Sequence, residues 1–113
     1  MEGLGTYSQG KIMTERQLKT SCLKWLKLNG PRKLWWYCPT DKFRSGLPDL
    51  MMSICGRFMW VEFKTEKGKV ARIQEWEHGR LKDSGAIGRV IRTREEFIFF
   101  IDENMRRMPW NRQ

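Results

Sequence analysis

Two short apolar runs joined by a Cys-Gly dipeptide constrain the fold of this chain more than any other feature. The runs cover residues 50–54 and 58–63, and Cys55 and Gly56 lie between them. Glycine suits a two-residue hairpin turn because it adopts a positive φ angle without steric cost. The pattern therefore predicts an antiparallel hairpin whose register is fixed by the turn.

The register of this hairpin brings acidic and basic side chains together. With a two-residue turn, Ile54 faces Arg57, and counting outward from that pair places Asp49 opposite Glu62. Side chains alternate between the two faces of a strand, so Lys64 points to the same side as Glu62. Opposed residues lie about 4.5–5.5 Å apart at Cβ. The sequence thus predicts a patch of two carboxylates and one ammonium group.

Such a patch costs free energy unless a bound ion or ligand stabilises it. Two carboxylates at this separation repel each other, and the apolar residues around them predict partly dry surroundings. A divalent cation would relieve the repulsion, and paired hard oxygen ligands suit Mg²⁺. Lys64 would then orient or deprotonate a water, or neutralise charge that develops on a phosphate. The alternative is a surface ladder of salt bridges, since Glu-x-Lys alone arises by chance in many strands.

These residues also carry a family resemblance. The segment 46–50, Gly-Leu-Pro-Asp-Leu, followed by Glu-Phe-Lys at 62–64 and Gln74 on a predicted helix, resembles the PD-(D/E)xK nuclease superfamily. Within it, the chain most resembles the small stand-alone VRR-NUC domains, often phage-encoded, over residues 14–97. The Val-Arg-Arg tripeptide behind that family name is absent, and Val-Ile-Arg at 90–92 is its nearest counterpart.

The resemblance implies a restriction-endonuclease-like fold. This is an α/β core in the order α-β-β-β-α-β-α, with a mixed central sheet flanked by helices. At 113 residues the chain has room for one such core. The nuclease domain is expected at 12–108, between a flexible arm at 1–11 and a tail at 109–113.

Periodicity along the chain predicts the same order of elements. Thr14 and Gln17 form a capping-box pattern before a helix that ends at Gly30. A strand is predicted at 33–38, where one of the two adjacent tryptophans must point away from the core and could contact a base or a partner subunit. The remaining predicted elements are a helix at 70–83, a strand at 86–92 and a helix at 94–105.

The resemblance further implies roles for individual residues. Asp49, Glu62 and the carbonyl of Phe63 would bind Mg²⁺ or Mn²⁺, with Glu15 as a further candidate ligand. Glu15 matches the first-helix glutamate of related nucleases by position, although an acidic residue at a helix start also complements the helix dipole. Gln74 matches the family's glutamine, which is thought to steady water or the lysine. The implied catalytic set is Asp49, Glu62, Lys64, Glu15 and Gln74.

The charge of the chain favours a polyanionic partner. Twenty-two Lys and Arg residues stand against 13 Asp and Glu, a net charge of +9, which is typical of proteins that bind nucleic acid. The alternatives for this charge are an anionic membrane surface or solubility alone. Basic residues near the carboxylate patch would contact DNA phosphates, with ordinary solvated charge as the alternative. The predicted DNA-contacting residues are Lys42, Arg44, Ser45, Lys67, Lys69 and Arg72.

Histidine and cysteine usage excludes several classes of enzyme. His78 is the single histidine, which sets aside His-Asn-His nucleases, HD phosphohydrolases and zinc hydrolases. Cys22, Cys38 and Cys55 show no Cys-x-x-Cys spacing, so we expect buried thiols in a reducing compartment rather than a zinc site or disulfides. No apolar run is long enough for a membrane span and no signal segment is found. We therefore expect a cytoplasmic protein of a bacterial or phage-infected cell.

Three functions remain open from the sequence. A metal-dependent DNA endonuclease leads, and so small a domain has little surface for reading sequence, so we expect it to select DNA by shape. Small relatives act as dimers on branched DNA, so the resemblance favours a homodimeric Holliday-junction resolvase in which each subunit nicks one strand. The alternatives are a nuclease for flaps, nicks or single strands in a larger repair or phage replication machine, and a DNA-binding module without turnover.

Overall fold

The structure, a computed structural model, describes residues 13–40 and 43–107 as an α/β chain. The helices are α1 (Glu15–Asn29), α2 (Arg72–Asp83) and α3 (Arg94–Arg106). The strands are β1 (Leu34–Tyr37), β2 (Leu50–Ile54), β3 (Arg57–Phe63) and β4 (Ile87–Ile91). They form one mixed sheet in the order β1-β2-β3-β4. The predicted order of elements is confirmed, while the predicted arm at 1–11 and tail at 109–113 lie outside the described residues.

The predicted hairpin forms with the predicted register. Strands β2 and β3 run antiparallel, with Ile54 opposite Arg57 and Leu50 opposite Val61. The two turn residues between them have φ angles of 49° and 83°. Both occupy the left-handed region that a type I′ turn requires, so the turn itself sets the pairing of the strands.

The described residues divide into two compact units. The sheet unit holds β1, β2, α2 and most of β3 and β4, and it comprises residues 31–40, 43–62 and 68–90. The helix-pair unit holds α1 and α3, and it comprises residues 13–30, 63–67 and 91–107. No helix within these ranges is both long and apolar enough to cross a membrane.

Aromatic packing holds the helix-pair unit together. Trp25 of α1 meets Phe97 of α3 edge to face with ring centroids 6.1 Å apart, and Phe63 packs on the same ring at 5.8 Å. These rings bury large apolar area, the main favourable contribution to folding. At the start of α1, Thr14 and Gln17 form the predicted capping box.

The expectation that all three cysteines are buried is wrong. Of the three, Cys22 alone is buried, while Cys38 is partly exposed and Cys55 is exposed. Cys55 occupies the hairpin turn, and turns lie at the surface because their backbone groups need water. Burial raises the pKa of the Cys22 thiol to about 12, so that thiol stays protonated and unreactive at neutral pH.

One face of the hairpin carries its buried apolar residues. Along β2, Leu50, Met52 and Ile54 alternate with less buried neighbours. On β3, Met59 and Val61 stand opposite Met52 and Leu50 and are buried as well. Alternation of this kind fixes which side chains of the hairpin face the other way.

The opposite face, here called the α2 face, carries Ser53 and Glu62 of the hairpin among aromatic and apolar residues. Trp60 stacks on His78 of α2, with ring centroids 4.1 Å apart, so this helix covers the face at β3. Glu62 follows Trp60 by two residues and therefore points to the same side. Within β1, β2 and β3, strand pairing and side-chain alternation place these residues on this face: Trp35, Tyr37, Met51, Ser53, Phe58, Trp60 and Glu62.

Candidate active site

Glu62 is a buried carboxylate near the end of β3. Only 1% of its surface is exposed to solvent. Gln74 of α2 donates a hydrogen bond of 2.8 Å from Nε2 to Glu62 Oε2. Burying a carboxylate is costly unless hydrogen-bond donors replace its water, and the Gln74 amide supplies one. The structure thus brings two of the predicted site residues, Glu62 and Gln74, into direct contact.

The start of α2 fixes the orientation of the Gln74 amide. Gln74 Oε1 accepts a hydrogen bond of 2.9 Å from the backbone N–H of Ala71, the residue that precedes the helix. Alanine has no side chain that could cap the helix, so Gln74 supplies the cap from the third helical position. Because its oxygen is used there, its Nε2 is turned towards Glu62.

His78 is a contact of Glu62 that sequence reasoning missed. It lies one helical turn after Gln74 and so on the same side of α2. Its Nε2 is 3.8 Å from Glu62 Oε1, too long for a hydrogen bond but close enough for an electrostatic interaction. In the sequence, His78 was informative only as the single histidine, which excludes several enzyme classes. The i, i+4 spacing of Gln74 and His78 was the signal that could have paired them.

Asp49 lies directly before β2 and is half-buried. The last observed pair of the hairpin ladder is Leu50 opposite Val61. Asp49 and Glu62 are the next residue along each strand, one position beyond that ladder. The register that the sequence analysis used is therefore confirmed, and the direct pairing of Asp49 with Glu62 stays a prediction.

The loop that leads to Asp49 packs tightly on the start of α2. Gly46 has a φ angle of +85°, and a Cβ atom added to it would lie 2.6 Å from the carbonyl oxygen of Ile73. Residues with a side chain rarely adopt this φ, and here a side chain would also collide with backbone. Glycine in the Gly-x-Pro-Asp segment is thus required by the close approach of this loop to the helix that carries Gln74.

Arg44 ties the same loop to α2 through a bidentate ion pair. Its Nε and Nη2 each donate a hydrogen bond of 3.0 Å to the carboxylate of Glu77. Glu77 is buried, and the hydrogen bond from Arg44 lowers the pKa of its carboxyl below the ordinary value of 4.5. Arg44 was predicted to contact DNA, and its charge is already engaged within the protein. The DNA contact stays a prediction, and sequence reasoning missed Glu77.

Three of the residues predicted for catalysis or metal binding belong to the helix-pair unit. Lys64 is half-buried, and its backbone N–H donates a 3.0 Å hydrogen bond to the carbonyl of Ile91. Phe63 is buried, and Glu15 is exposed as the first residue of α1. Their roles at the metal and the phosphate stay predictions, since Asp49, Glu62 and Gln74 belong to the sheet unit.

The remaining predicted DNA contacts lie on exposed segments. Ser45 is exposed in the loop before Asp49, and Lys67 and Lys69 are exposed in the connection between β3 and α2. Arg72 is exposed as the first residue of α2. Lys42 lies outside the described residues. These positions are accessible to a ligand, and their contact with DNA stays a prediction.

The donor chemistry of the site fits a hard divalent cation. Within 13–40 and 43–107, no three side chains of His, Cys, Asp or Glu cluster into a metal site. Mg²⁺ needs fewer, since it is held by one or two carboxylates and keeps several waters. Glu62 is a buried carboxylate whose orientation is held by an amide, as outer-shell partners hold metal ligands. Extending the hairpin register by one position would place the carboxylate of Asp49 opposite Glu62.

Comparison with known proteins bears on the fold. No family model matches the sequence, and no curated protein matches it either. A solved structure described as "VRR_NUC domain" superposes with a TM-score of 0.65, covering 80% of this chain and 97% of that one. This chain has the fold of a VRR_NUC domain. The two sequences are 24% identical, so the likeness confirms the predicted resemblance and α/β fold class at the level of the fold.

Proposed function

We propose that this chain is a metal-dependent endonuclease that hydrolyses phosphodiester bonds in DNA. The observation that carries the proposal is the hydrogen bond from Gln74 to Glu62, which joins the Glu-x-Lys strand to the helix after it. The fold of a VRR_NUC domain supports the same activity. The alternative of a surface salt-bridge ladder is disfavoured because Glu62 is 1% exposed.

The proposed chemistry assigns a task to each site residue. Asp49 and Glu62, with the carbonyl of Phe63, hold Mg²⁺ or Mn²⁺, and Glu15 is a further candidate ligand. When bound, the ion polarises water and neutralises charge on the phosphate. Gln74 holds the Glu62 carboxylate in one orientation. Lys64, two residues after Glu62 in the chain, positions the attacking water or stabilises the negative charge that develops on the phosphate.

Electrostatics support DNA as the substrate. The net charge of +9 attracts a polyanion, and phosphate contacts then supply most of the affinity. We assign these contacts to the loop before Asp49, to the connection between β3 and α2, and to the first residue of α2. The proposed set is Lys42, Arg44, Ser45, Lys67, Lys69 and Arg72. Because each contact releases counterions, affinity is expected to fall steeply as salt is added.

The proposed substrate is branched DNA, and a Holliday junction cut by a homodimer is the first choice. A domain of 113 residues offers little surface for reading base sequence, so the shape of the DNA has to supply selectivity. A two-fold symmetric dimer would nick two symmetry-related strands of a junction. A nuclease for flaps, nicks or single strands is the second candidate, and the exposed aromatic side chains of β1 favour DNA with unpaired bases.

The test is a panel of end-labelled substrates: four-way junction, flap, nicked duplex, intact duplex and single strand, each with Mg²⁺, Mn²⁺ or EDTA. We expect cleavage of branched DNA with either metal and none with EDTA. Glu62→Gln should lose cleavage, whereas Glu75→Gln, which alters an exposed glutamate in the first turn of α2, should keep it. Failure to cut any substrate with either metal would leave a DNA-binding module without turnover.

A further inference from the structure

Two aromatic side chains of β1 project into solvent. Trp35 is 59% exposed and Tyr37 is 50% exposed. Their rings stack on each other, with centroids 6.2 Å apart and an angle of 19° between planes. Large aromatic side chains are usually buried because they contribute much apolar area to a core. Two near-parallel rings left in solvent therefore suggest a binding surface.

These rings share a sheet face with the candidate active site. Tyr37 stands opposite Met51 of β2, and Met51 stands opposite Trp60 of β3. Glu62 lies two residues beyond Trp60 and points to the same side. From typical strand spacing and rise, the Cα atoms of Tyr37 and Glu62 are about 12 Å apart. A DNA strand on this face would thus reach both within a few nucleotides.

The covering of this face is uneven. Helix α2 packs over β3, where His78 stacks on Trp60 and Gln74 binds Glu62. Strand β1 stands at one end of the sheet order, and there Trp35 and Tyr37 remain exposed. The α2 face is therefore covered by α2 at β3, where Glu62 lies, and open to solvent at β1, where the two aromatic rings lie.

We propose that Trp35 and Tyr37 form a stacking platform for unpaired bases of the DNA substrate. The proposal rests on the nuclease function above and narrows its substrate to DNA with bases that are not paired. Every base has a π face that stacks on an aromatic ring, whatever its sequence. Bases inside a duplex already stack on one another, so the platform distinguishes flaps, single strands and junction centres from continuous duplex.

Charge favours DNA over a second copy of the chain as the occupant of the platform. The exposed basic residues Arg32 and Lys33 directly precede β1, where they attract the phosphates of a bound strand. At this surface a second copy would add like charge beside Arg32 and Lys33, since its net charge is also +9, whereas a DNA strand brings the opposite charge. A dimer built on the edge of β1 is nevertheless a distinct outcome that the experiment has to detect.

The experiment compares binding to single-stranded and duplex oligonucleotides of equal length. Trp35→Val and Tyr37→Val, combined, remove both rings and keep residues that favour strands. Trp76→Leu is the matched control. Trp76 is a similarly exposed tryptophan, at 56%, but it belongs to helix α2 and not to the sheet face that carries Trp35 and Tyr37. Fluorescence anisotropy is measured in EDTA, so that binding is read without cleavage, and the mass of each variant in solution is recorded.

We expect the double variant to lose single-strand affinity by at least about fivefold, the lower bound for one base stacked on one ring. Its duplex affinity should stay within about twofold, and the control should bind both as the wild type does. Unchanged single-strand binding, or an equal loss for both DNAs, would overturn the platform. If the wild type is a dimer and the double variant is a monomer with an equal loss of affinity for both DNAs, the platform is also overturned. The rings would then be assigned to contact with a second copy.

The result of this binding experiment can be separated from the result of the cleavage assay. Binding in EDTA does not require the metal, so an inactive protein could still show the platform. Conversely, wild-type cleavage with Mg²⁺ together with unchanged binding by the double variant would keep the nuclease and remove the platform. The unmodified protein is assayed for cleavage in parallel to separate the two.

Discussion

Gln74 donates a 2.8 Å hydrogen bond to the buried carboxylate of Glu62, although the two residues are 12 positions apart in the chain. The same amide accepts the backbone N–H of Ala71 at the start of α2. One side chain therefore both begins the helix and orients the carboxylate. Any change at Gln74 should act on stability through the helix start and on activity through Glu62.

Replacing Gln74 by Met should weaken folding and reduce cleavage. The change keeps the length of the side chain but removes the donor to Glu62 and the acceptor for Ala71. Leaving a buried charged group without one of its donors costs about 1–3 kcal/mol. The free energy of unfolding in urea and the cleavage rate with Mg²⁺ measure the two effects.

Gln17→Met provides the control for the helix start alone. Gln17 accepts the backbone N–H of Thr14 at 2.9 Å in the same capping arrangement, on α1 rather than α2. Its loss should cost a similar amount for the cap and leave the cleavage rate unchanged. Equal losses of activity in Gln17→Met and Gln74→Met would mean that the contact with Glu62 has no catalytic importance.

Gly46→Ala should destabilise the loop before Asp49 far more than Gly56→Ala destabilises the hairpin turn. Both glycines have a positive φ angle, +85° and +83°, so both substitutions carry the same backbone strain. Only at Gly46 would the new Cβ meet backbone, at 2.6 Å from Ile73. We expect about 1–3 kcal/mol of strain in each and a further loss in Gly46→Ala, measured by urea unfolding. Equal losses would contradict the packing of this loop on α2.

Arg44→Met should lower stability at neutral pH and matter less in acid. Glu77 has its pKa lowered chiefly by the hydrogen bond from Arg44, so it binds a proton less readily in the folded than in the unfolded protein. The contribution of the pair is therefore present above pH 4.5, the ordinary pKa of the carboxyl, and is lost as pH falls below it. We expect about 1–2 kcal/mol at neutral pH, reduced because Arg44 is half-exposed.

The pair Arg107–Glu103 is the matched control for that experiment. It spans one turn of α3 at 3.5 Å, with both side chains partly exposed to solvent. Surface pairs of this kind contribute about 0–1 kcal/mol, so Arg107→Met should change the urea midpoint little at either pH. A loss in Arg44→Met that stays the same from neutral pH down to pH 3 would show that the ion pair is not its source.

Local rules predicted the hairpin and the capping box of α1 because neighbouring residues determine them. Gly56 after Cys55 sets a two-residue turn, and the turn sets every pair from Ile54–Arg57 outward. The helix expected from residue 70 begins instead at Arg72, because the cap that Gln74 provides acts on the N–H of Ala71.

Contacts made by tertiary packing could not be read from the sequence. Arg44 and Glu77 are 33 positions apart, and nothing local distinguishes Glu77 from other charged residues of α2. The contact of His78 with Glu62 likewise depends on how α2 lies across β3. Gln74 could be predicted because its position after a Glu-x-Lys strand carries the family resemblance. The contacts of its neighbours on α2 could not be predicted in this way.

Lys64→Ala should lower the cleavage rate by about 10²–10⁴, the range for a positioned acid, base or electrostatic group. Metal affinity should stay the same or rise, because a positive charge has been removed near the proposed ligands. Lys69→Ala, at an exposed lysine of the β3–α2 connection, should instead weaken DNA binding slightly and leave turnover intact. Weaker metal binding in Lys64→Ala would point to a structural role for this lysine.

We propose that Asp49 and Glu62 together hold the metal that cleavage requires. The most direct measurement is the rate of branched-DNA cleavage as a function of Mg²⁺ concentration, for the wild type and for Asp49→Asn. We predict that Asp49→Asn cleaves at least about 10²-fold more slowly at the Mg²⁺ concentration that saturates the wild type, with partial recovery at higher Mg²⁺. Cleavage by Asp49→Asn at the wild-type rate at that concentration would contradict metal binding by Asp49.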